Sequence, residues 1–382
     1  MIDVEAEIAL IDELTDMARD PNDVARVSEL EALLSRTDAT DQTPHAAIFA
    51  RSLLAGHLIM TNADDLAPVL GLFAETQNLM EAHSDELISD VFVPILVQSH
   101  VTIMMLLENP SVPLDRVEAL LANFEQLCRQ TGNTLRGVYA LAMRIAIRRG
   151  DHDAAERLFA QLQAQPRDTI VIGDTVEEAM EWYTDRGMYE EALHLFQRAT
   201  PEDEGDYYRY VQMAALIPAQ RTGRTQLAEQ LFNDSFDMDD IDGDAPRLTY
   251  LALAGRYDQA LELMPLIMEP QDFDTDRSRA QSAKHAAVLL SHLQALGRGS
   301  QQVSGMDATV DELFTGYLSL AESNAQRIDQ VNKMDAAMPN LQRFWANFAP
   351  RISADSGRTA GIEGPHTAPT SPNNFSTSNY ER

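Results

Sequence analysis

Four stretches of this chain carry one ten-residue pattern: GDHDAAERLF (Gly150–Phe159), GMYEEALHLF (Gly187–Phe196), GRTQLAEQLF (Gly223–Phe232) and GRYDQALELM (Gly255–Met264). In each, Gly is followed five residues later by Ala, eight later by Leu and nine later by Phe or Met. The glycines lie 37, 36 and 32 residues apart, and a fixed period in the thirties marks a stack of helical hairpins. Gly can take the left-handed conformation of a helix C-terminal cap without steric cost, so it predicts the corner of each hairpin. Ala predicts a close crossing of two helices, where a larger side chain would hold them apart. Leu and Phe, three and four residues beyond Ala, share its helical face and fill the space against the next hairpin. One hairpin cannot cover its own apolar stripe, but a stack of them can. The expected fold class is all-α, an α-solenoid of antiparallel helical hairpins.

Ala155-x-x-x-Phe159, Ala192-x-x-x-Phe196 and Ala228-x-x-x-Phe232 resemble the second-helix signature of the tetratricopeptide (TPR) family. The segments starting at Gly187 and Gly255 are most similar to it, and the resemblance covers roughly residues 134–268. The first helices depart from the pattern. The early aromatic is Tyr139 in the first copy but Val176 and Gln212 in the next two, and the later Tyr is Tyr183 in the second copy but Ala146 and Ala219 in its neighbours. The resemblance implies a right-handed, TPR-like superhelix and a concave groove, lined by the first helix of each hairpin, that takes a peptide or partner segment. Carried over by spacing from the repeated Ala, the groove residues are Arg144 and Arg148 in the first copy and Glu181 and Asp185 in the second, with Glu177 and Glu178 one turn earlier. In the third copy they are Ile217 and Arg221, with Tyr210 and Gln220 adjacent. The Lys/Asn/Arg set with which some relatives clamp a terminal carboxylate is missing, which disfavours a chaperone-tail ligand.

The flanking sequence is expected to continue in helical pairs. Residues 1–132 read as degenerate N-terminal hairpins, 133–298 as the repeat array, 306–350 as C-terminal capping helices and 353–382 as a disordered tail rich in Ser, Thr, Pro, Gly and Asn. Val4–Ala18 has a helical rhythm, and Asp20-Pro21 is a suitable start for the next helix. His45–Thr61 reads as a helix, followed by a weak fifth copy in which Asn62 replaces the turn Gly and Ala67 and Leu70 keep the spacing. Val91–Leu107 and Leu114–Arg129 form another helix pair, ended by a Gly132-Asn133 turn. Gly297–Gly305 reads as a Gly/Ser/Gln linker. Beyond it, Leu341, Phe344, Trp345 and Phe348 make an amphipathic stripe. That stripe could cap the last hairpin, dock in trans or occupy the groove of its own chain, and capping is the preferred reading.

The 382-residue chain has a formal net charge of −31 and only two lysines, Lys284 and Lys333. Such a surface repels phosphate backbones and anionic lipid, so neither nucleic acid nor membrane is an expected partner, while a protein with basic residues suits it. The plainer reading is the acidic surface of a bacterial-style cytosolic protein. The single Cys128 excludes an intrachain disulfide and lies among apolar helix positions. The N-terminus lacks the layout of a secretory signal, and the most apolar run is interrupted by Pro94, Gln98, Ser99 and His100. A cytoplasmic protein is therefore expected. Ile170–Gly173 could pass for a strand but is too short and isolated to build a sheet.

Motifs that would carry chemistry are missing. Neither lysine follows Gly, which excludes a phosphate-gripping P-loop, and Gln302 stands where a dinucleotide loop opened by Gly297-Arg298-Gly299 would need its third Gly. The run Asp237, Asp239, Asp240, Asp242, Asp244 fails as a calcium loop, because Met238 and Thr249 fall at its end positions. Glu191-x-x-His194 is one di-iron half-motif without its companions, and His285 and His292 stand two turns apart. No catalytic residue, cofactor or metal is expected. The function expected is a noncatalytic interaction scaffold; the alternative is a regulatory sensor whose ligand, in a cavity lined by Tyr207, Tyr208, Tyr210 and methionines, controls an effector.

Overall fold

The computed structural model of the protein describes residues 4–18, 25–38, 43–61, 67–83, 92–167, 175–201, 208–234, 245–269 and 276–350. Over these residues the chain is all-α, with seventeen helices and no strand. Asp20-Pro21, Asn62, Ile170–Gly173, the acidic run 237–244 and the tail from Ser353 lie outside the described residues.

Four helices open the chain: α1 (Val4–Ala18), α2 (Ala25–Asp38), α3 (Pro44–Thr61) and α4 (Ala67–Ala82). Helix α3 lies at their centre and packs on α1, α2 and α4. Its start is capped from another helix: the Glu7 carboxylate of α1 accepts hydrogen bonds from the backbone N–H groups of His45 and Ala46, and lies 2.8 Å from His45 Nδ1. The first N–H groups of a helix have no partner within it, so a buried carboxylate there meets a real deficit. The weak fifth copy does not keep its register. Ala67 is the first residue of α4 and is exposed, while Val69 is buried.

Six hairpins follow: α5 (Phe92–Glu108) with α6 (Leu114–Gln130), α7 (Arg136–Arg149) with α8 (His152–Ala164), α9 (Thr175–Asp185) with α10 (Tyr189–Arg198), α11 (Tyr208–Arg221) with α12 (Thr225–Asp234), α13 (Pro246–Leu253) with α14 (Tyr257–Ile267), and α15 (Asp276–Ala295) with α16 (Val310–Asn332). Residues Ala337–Phe348 form α17. The four repeat glycines stand at the corners α7/α8, α9/α10, α11/α12 and α13/α14, all with φ between 70° and 76°. At Gly150 the N–H bonds back to the Ile147 carbonyl and the Asp151 N–H to Ala146, the double bond of a left-handed C-terminal cap. The same pair of bonds recurs at Gly187, Gly223 and Gly255. Gly297 makes it too, which corrects the linker reading: this segment is the corner of the sixth hairpin, carrying a longer loop. That loop is ordered, with Val303 1% exposed and Thr309 forming a capping box with Glu312 at the start of α16.

The repeated alanines Ala155, Ala192, Ala228 and Ala260 are each 0% exposed. Helix α9 packs on α11, α11 on α13 and α13 on α15. Helix α7 feeds two apolar clusters: Val138, Leu141 and Ile145 join the N-terminal one, and Ala140, Met143 and Ala146 the C-terminal one. Beside each corner an Arg reaches back to an acid on the second helix of the preceding hairpin. The pairs are Arg149–Glu118 (2.7 Å), Arg186–Glu156 (3.2 Å), Arg224–Glu190 (2.8 Å), Arg256–Glu229 (2.9 Å) and Arg298–Asp258 (2.5 Å). This ladder repeats the same inter-hairpin contact five times over.

Two contacts link distant parts of the row. Helix α15 packs on α5, and α17 packs on α9 as well as on its neighbour α16. Among the described residues no helix is long and apolar enough to cross a membrane.

Candidate interaction face

Helix α9 has two faces. Ala179 and Met180 are buried in the core, while Glu178, Glu181, Trp182 and Asp185 border a cavity on the opposite side, where Trp182 too is buried. Facing that side is α15, whose residues 283–291 are all buried, Lys284 and His285 included. A helix buried on nearly every side must pair its polar groups within the protein. Lys284 Nζ lies 3.1 Å from Asp185 Oδ2, Gln281 Nε2 donates to Glu181 Oε2 at 3.4 Å, and His285 Nδ1 lies 2.9 Å from the Thr249 hydroxyl. Burial, with the Lys284 charge beside it, holds the His285 imidazole far below its usual pKa and therefore neutral.

Helix α17 lies on this face. Phe344 and Phe348 are each 1% exposed and pack on each other at a tilt, with centroids 4.8 Å apart. Phe344 meets His285 edge-on at 5.2 Å and takes the Lys284 ammonium 4.4 Å above its ring. Phe348 packs against Tyr189, with the Arg221 guanidinium 5.2 Å over its ring. Trp345 faces the other way, onto Phe314 of α16. Together with Ile217 and Val288, the two phenylalanines form a separate small cluster.

Both ends of α17 are held by side chains from elsewhere. At the start, the Asp329 carboxylate accepts from the N–H groups of Ala336, Ala337 and Met338. At the finish, Arg221 donates to the Asn347 carbonyl, and His292 Nε2 lies 2.9 Å from the Phe348 carbonyl. Carboxylate at the N-terminus and donors at the C-terminus both oppose the helix dipole favourably. Asn347 Nδ2 also donates to the Asp185 carbonyl at the corner of α9.

The seat is not fully closed. A cavity of about 160 Å³ lies between α7, α9, α15, α16 and α17, with Arg148, Lys284, Asn324 and Leu341 on its walls. A second, of about 100 Å³, is bordered by Glu178, Trp182, Arg343 and His152. The two share Ile147, Asp185, Gln281 and Asn340. The His152 ring receives the Trp182 indole N–H at 3.2 Å, and its pKa is lowered by burial and by Arg186 and Arg343.

Of the residues expected to line a groove, Arg148, Glu178, Glu181 and Asp185 border the cavities beneath α17, Arg221 holds its last turn, and Arg144 reaches them only through its pair with Glu178. Glu177, Tyr210 and Gln220 do not line either cavity. Tyr210 is engaged by its neighbour Arg209, which stacks 4.5 Å over its ring. The charges are largely matched inside the chain: Arg144 Nε lies 2.5 Å from Glu178 Oε2, and Asp185 is held by Lys284. The alternating charges read from the repeats therefore neutralise one another rather than presenting a bare acidic strip. Sequence reading missed Gln281, Lys284, His285 and His292, because α15 carries no copy of the ten-residue pattern.

Compared with known proteins, the chain matches no family model and no curated sequence. Among the described residues, no group of three or more His, Cys, Asp or Glu side chains could hold a metal ion. What the face can do is hold a helix, by two aromatic anchors and by donors at its terminal carbonyls.

Proposed function

We propose that this chain is a noncatalytic interaction protein of TPR-like design that grips an amphipathic helix of a partner in the cytoplasm. The grip is formed by α7, α9, the end of α11 and α15. The observation that carries this reading is α17 itself, an amphipathic helix already seated on that surface by Phe344 and Phe348. A rigid stack pre-organises the side chains, so less ordering cost falls on the complex. The recognition mode is a helix laid in a groove, read out by anchors at i and i+4.

The sensor reading has less behind it. Of the tyrosines expected to line its cavity, Tyr207 lies outside the described residues, and the cavities beneath α17, about 160 and 100 Å³, include neither Tyr208 nor Tyr210 and are smaller than the ~300–1,000 Å³ of a typical ligand pocket.

The test is affinity capture from the native cytosol on the immobilised full chain, beside an Ile147→Lys variant. Ile147 borders both cavities and its side chain also packs against the main core, so a thermal melt of the variant accompanies the capture to show that it stays folded. A partner held by the wild type and lost by the variant fits the proposal; a partner held equally by both sinks it.

A further inference from the structure

We infer that α17 is a removable, cis-acting occupant of the partner-binding face, and that the partner which displaces it presents an amphipathic helix with aromatic residues at i and i+4. This rests on the interaction reading above and adds which helix the face selects and what holds it shut.

Three features separate α17 from the hairpins it lies on. The first is reach. Its contacts run to Asp185, Tyr189, Arg221 and His292, on helices far from it in sequence, so it bridges three hairpins as a ligand does. The second is fit. Between hairpins the repeated alanines are wholly buried, whereas α17 leaves two unfilled cavities beneath it, with charged side chains such as Asp185 on their walls, and the Trp345 indole nitrogen is buried with no hydrogen-bond partner among the described residues. A buried donor left unmatched weakens the state that contains it. A competing helix with an aliphatic residue in place of Trp345 would avoid that defect. The third is the joint. Helix α16 is capped by Lys333, the one described non-Gly residue with positive φ (51°), and one carboxylate, Asp329, holds the N–H groups of Ala336, just before α17, and of its first two residues, Ala337 and Met338. The start of the helix thus depends on a short turn with one left-handed residue and on a single capping carboxylate.

The aromatic selectivity follows from what meets the rings. Phe344 sits between an imidazole edge and an ammonium, and Phe348 between a tyrosine ring and a guanidinium. Cations over ring faces favour aromatic over aliphatic anchors at both places. The Arg221 and His292 contacts are made to backbone carbonyls, so any helix ending at that point can satisfy them.

The test uses the full chain and a fluorescent peptide of residues 335–350, followed by anisotropy. Three proteins are compared: wild type, Asp329→Ala, which removes the cap of α17 without touching the face, and the double variant Phe344→Ala/Phe348→Ala, which removes the anchors of the resident helix. Both variants are expected to bind the peptide at least about tenfold more tightly than wild type, and a peptide with both phenylalanines changed to Leu is expected to bind far more weakly. Circular dichroism melts accompany each protein. Variants that stay folded yet bind no more tightly than wild type would overturn the inference, as would variants that lose cooperative melting, since α17 would then be part of the core. A variant that ignores the peptide and dimerises, by light scattering, would replace the partner with a second copy and overturn the partner assignment. Cytosol capture on Asp329→Ala separates this from the interaction reading. Peptide binding unmasked with no cellular partner defeats that reading alone, whereas a partner bound equally by wild type and Asp329→Ala defeats only the occupancy.

Discussion

Lys284 places its ammonium 3.1 Å from the Asp185 carboxylate across 99 residues of sequence, and the lysine side chain is only 9% exposed. The pair joins α15 to α9 directly beneath Phe344. We predict that Asp185→Asn, which strands a buried ammonium, costs about 1–3 kcal/mol. Lys284→Met removes the charge and keeps the length of the side chain, so it should be nearly neutral. Urea denaturation of both variants checks the order; Lys284→Met being the more damaging would contradict it.

Helix α17 should open independently of the hairpins. A buried Phe→Ala change in a rigid core costs about 3–5 kcal/mol. For Phe344→Ala we predict a smaller global loss, because the helix undocks instead of leaving a cavity in the body. Amide hydrogen exchange should accelerate across residues 337–348, while α11 and α13 keep their protection. Uniform acceleration through the repeats would show α17 to be inseparable from them.

Backbone strain at the corners gives opposite predictions for two residue types. Lys333 has φ 51°, a left-handed conformation costly for a side chain-bearing residue, so Lys333→Gly should stabilise by about 0.5–1 kcal/mol. Gly150→Ala should destabilise by about 1–2 kcal/mol, because its φ is 70° and the new Cβ would stand 3.3 Å from the Ala336 Cβ. Gly223→Ala has a similar φ but open space around it, so its cost should be the smaller of the two. Thermal melts of the three variants test the ranking.

Acid should weaken the fold well before its carboxylates protonate. His100 is 2% exposed, and burial, with Arg144 nearby, lowers its pKa to about 3. His285 is also held neutral by burial. In the unfolded chain each takes up a proton near pH 6.5, so the stabilisation is full above that pH. It falls by about 1.4 kcal/mol per pH unit for each group as pH drops from 6.5 towards the folded-state value. Denaturation at pH 7.5, 6 and 5 should show this decline, and His100→Gln should flatten it by one proton. An unchanged slope in that variant would refute the assignment to His100.

Much of the fold was legible because it is written in short-range terms. A corner Gly, an Ala at the crossing and the fillers three and four residues on act within one hairpin. Their φ values and burial follow the pattern at Gly150, Gly187, Gly223 and Gly255. The corner at Gly297 escaped notice because the following helix begins only at Val310, which breaks the spacing to Ala. The joint at Lys333 escaped because Lys stands where Gly marks the other corners. Half of the candidate face could be reached by counting back from the repeated alanines, which found Glu181, Asp185 and Arg221. The other half, on α15, follows no repeat.

The sequence by itself determined the all-helical class, the four corners at Gly150, Gly187, Gly223 and Gly255 and the alanines buried beside them, since each depends on neighbours within about ten residues. Only the tertiary structure decided that Arg186 meets Glu156, that Lys284 and His285 are buried under Phe344, and that α17 lies across α9 and α15 and not solely on α16. Those contacts join residues about 30 to 160 positions apart, a separation over which no local pattern acts.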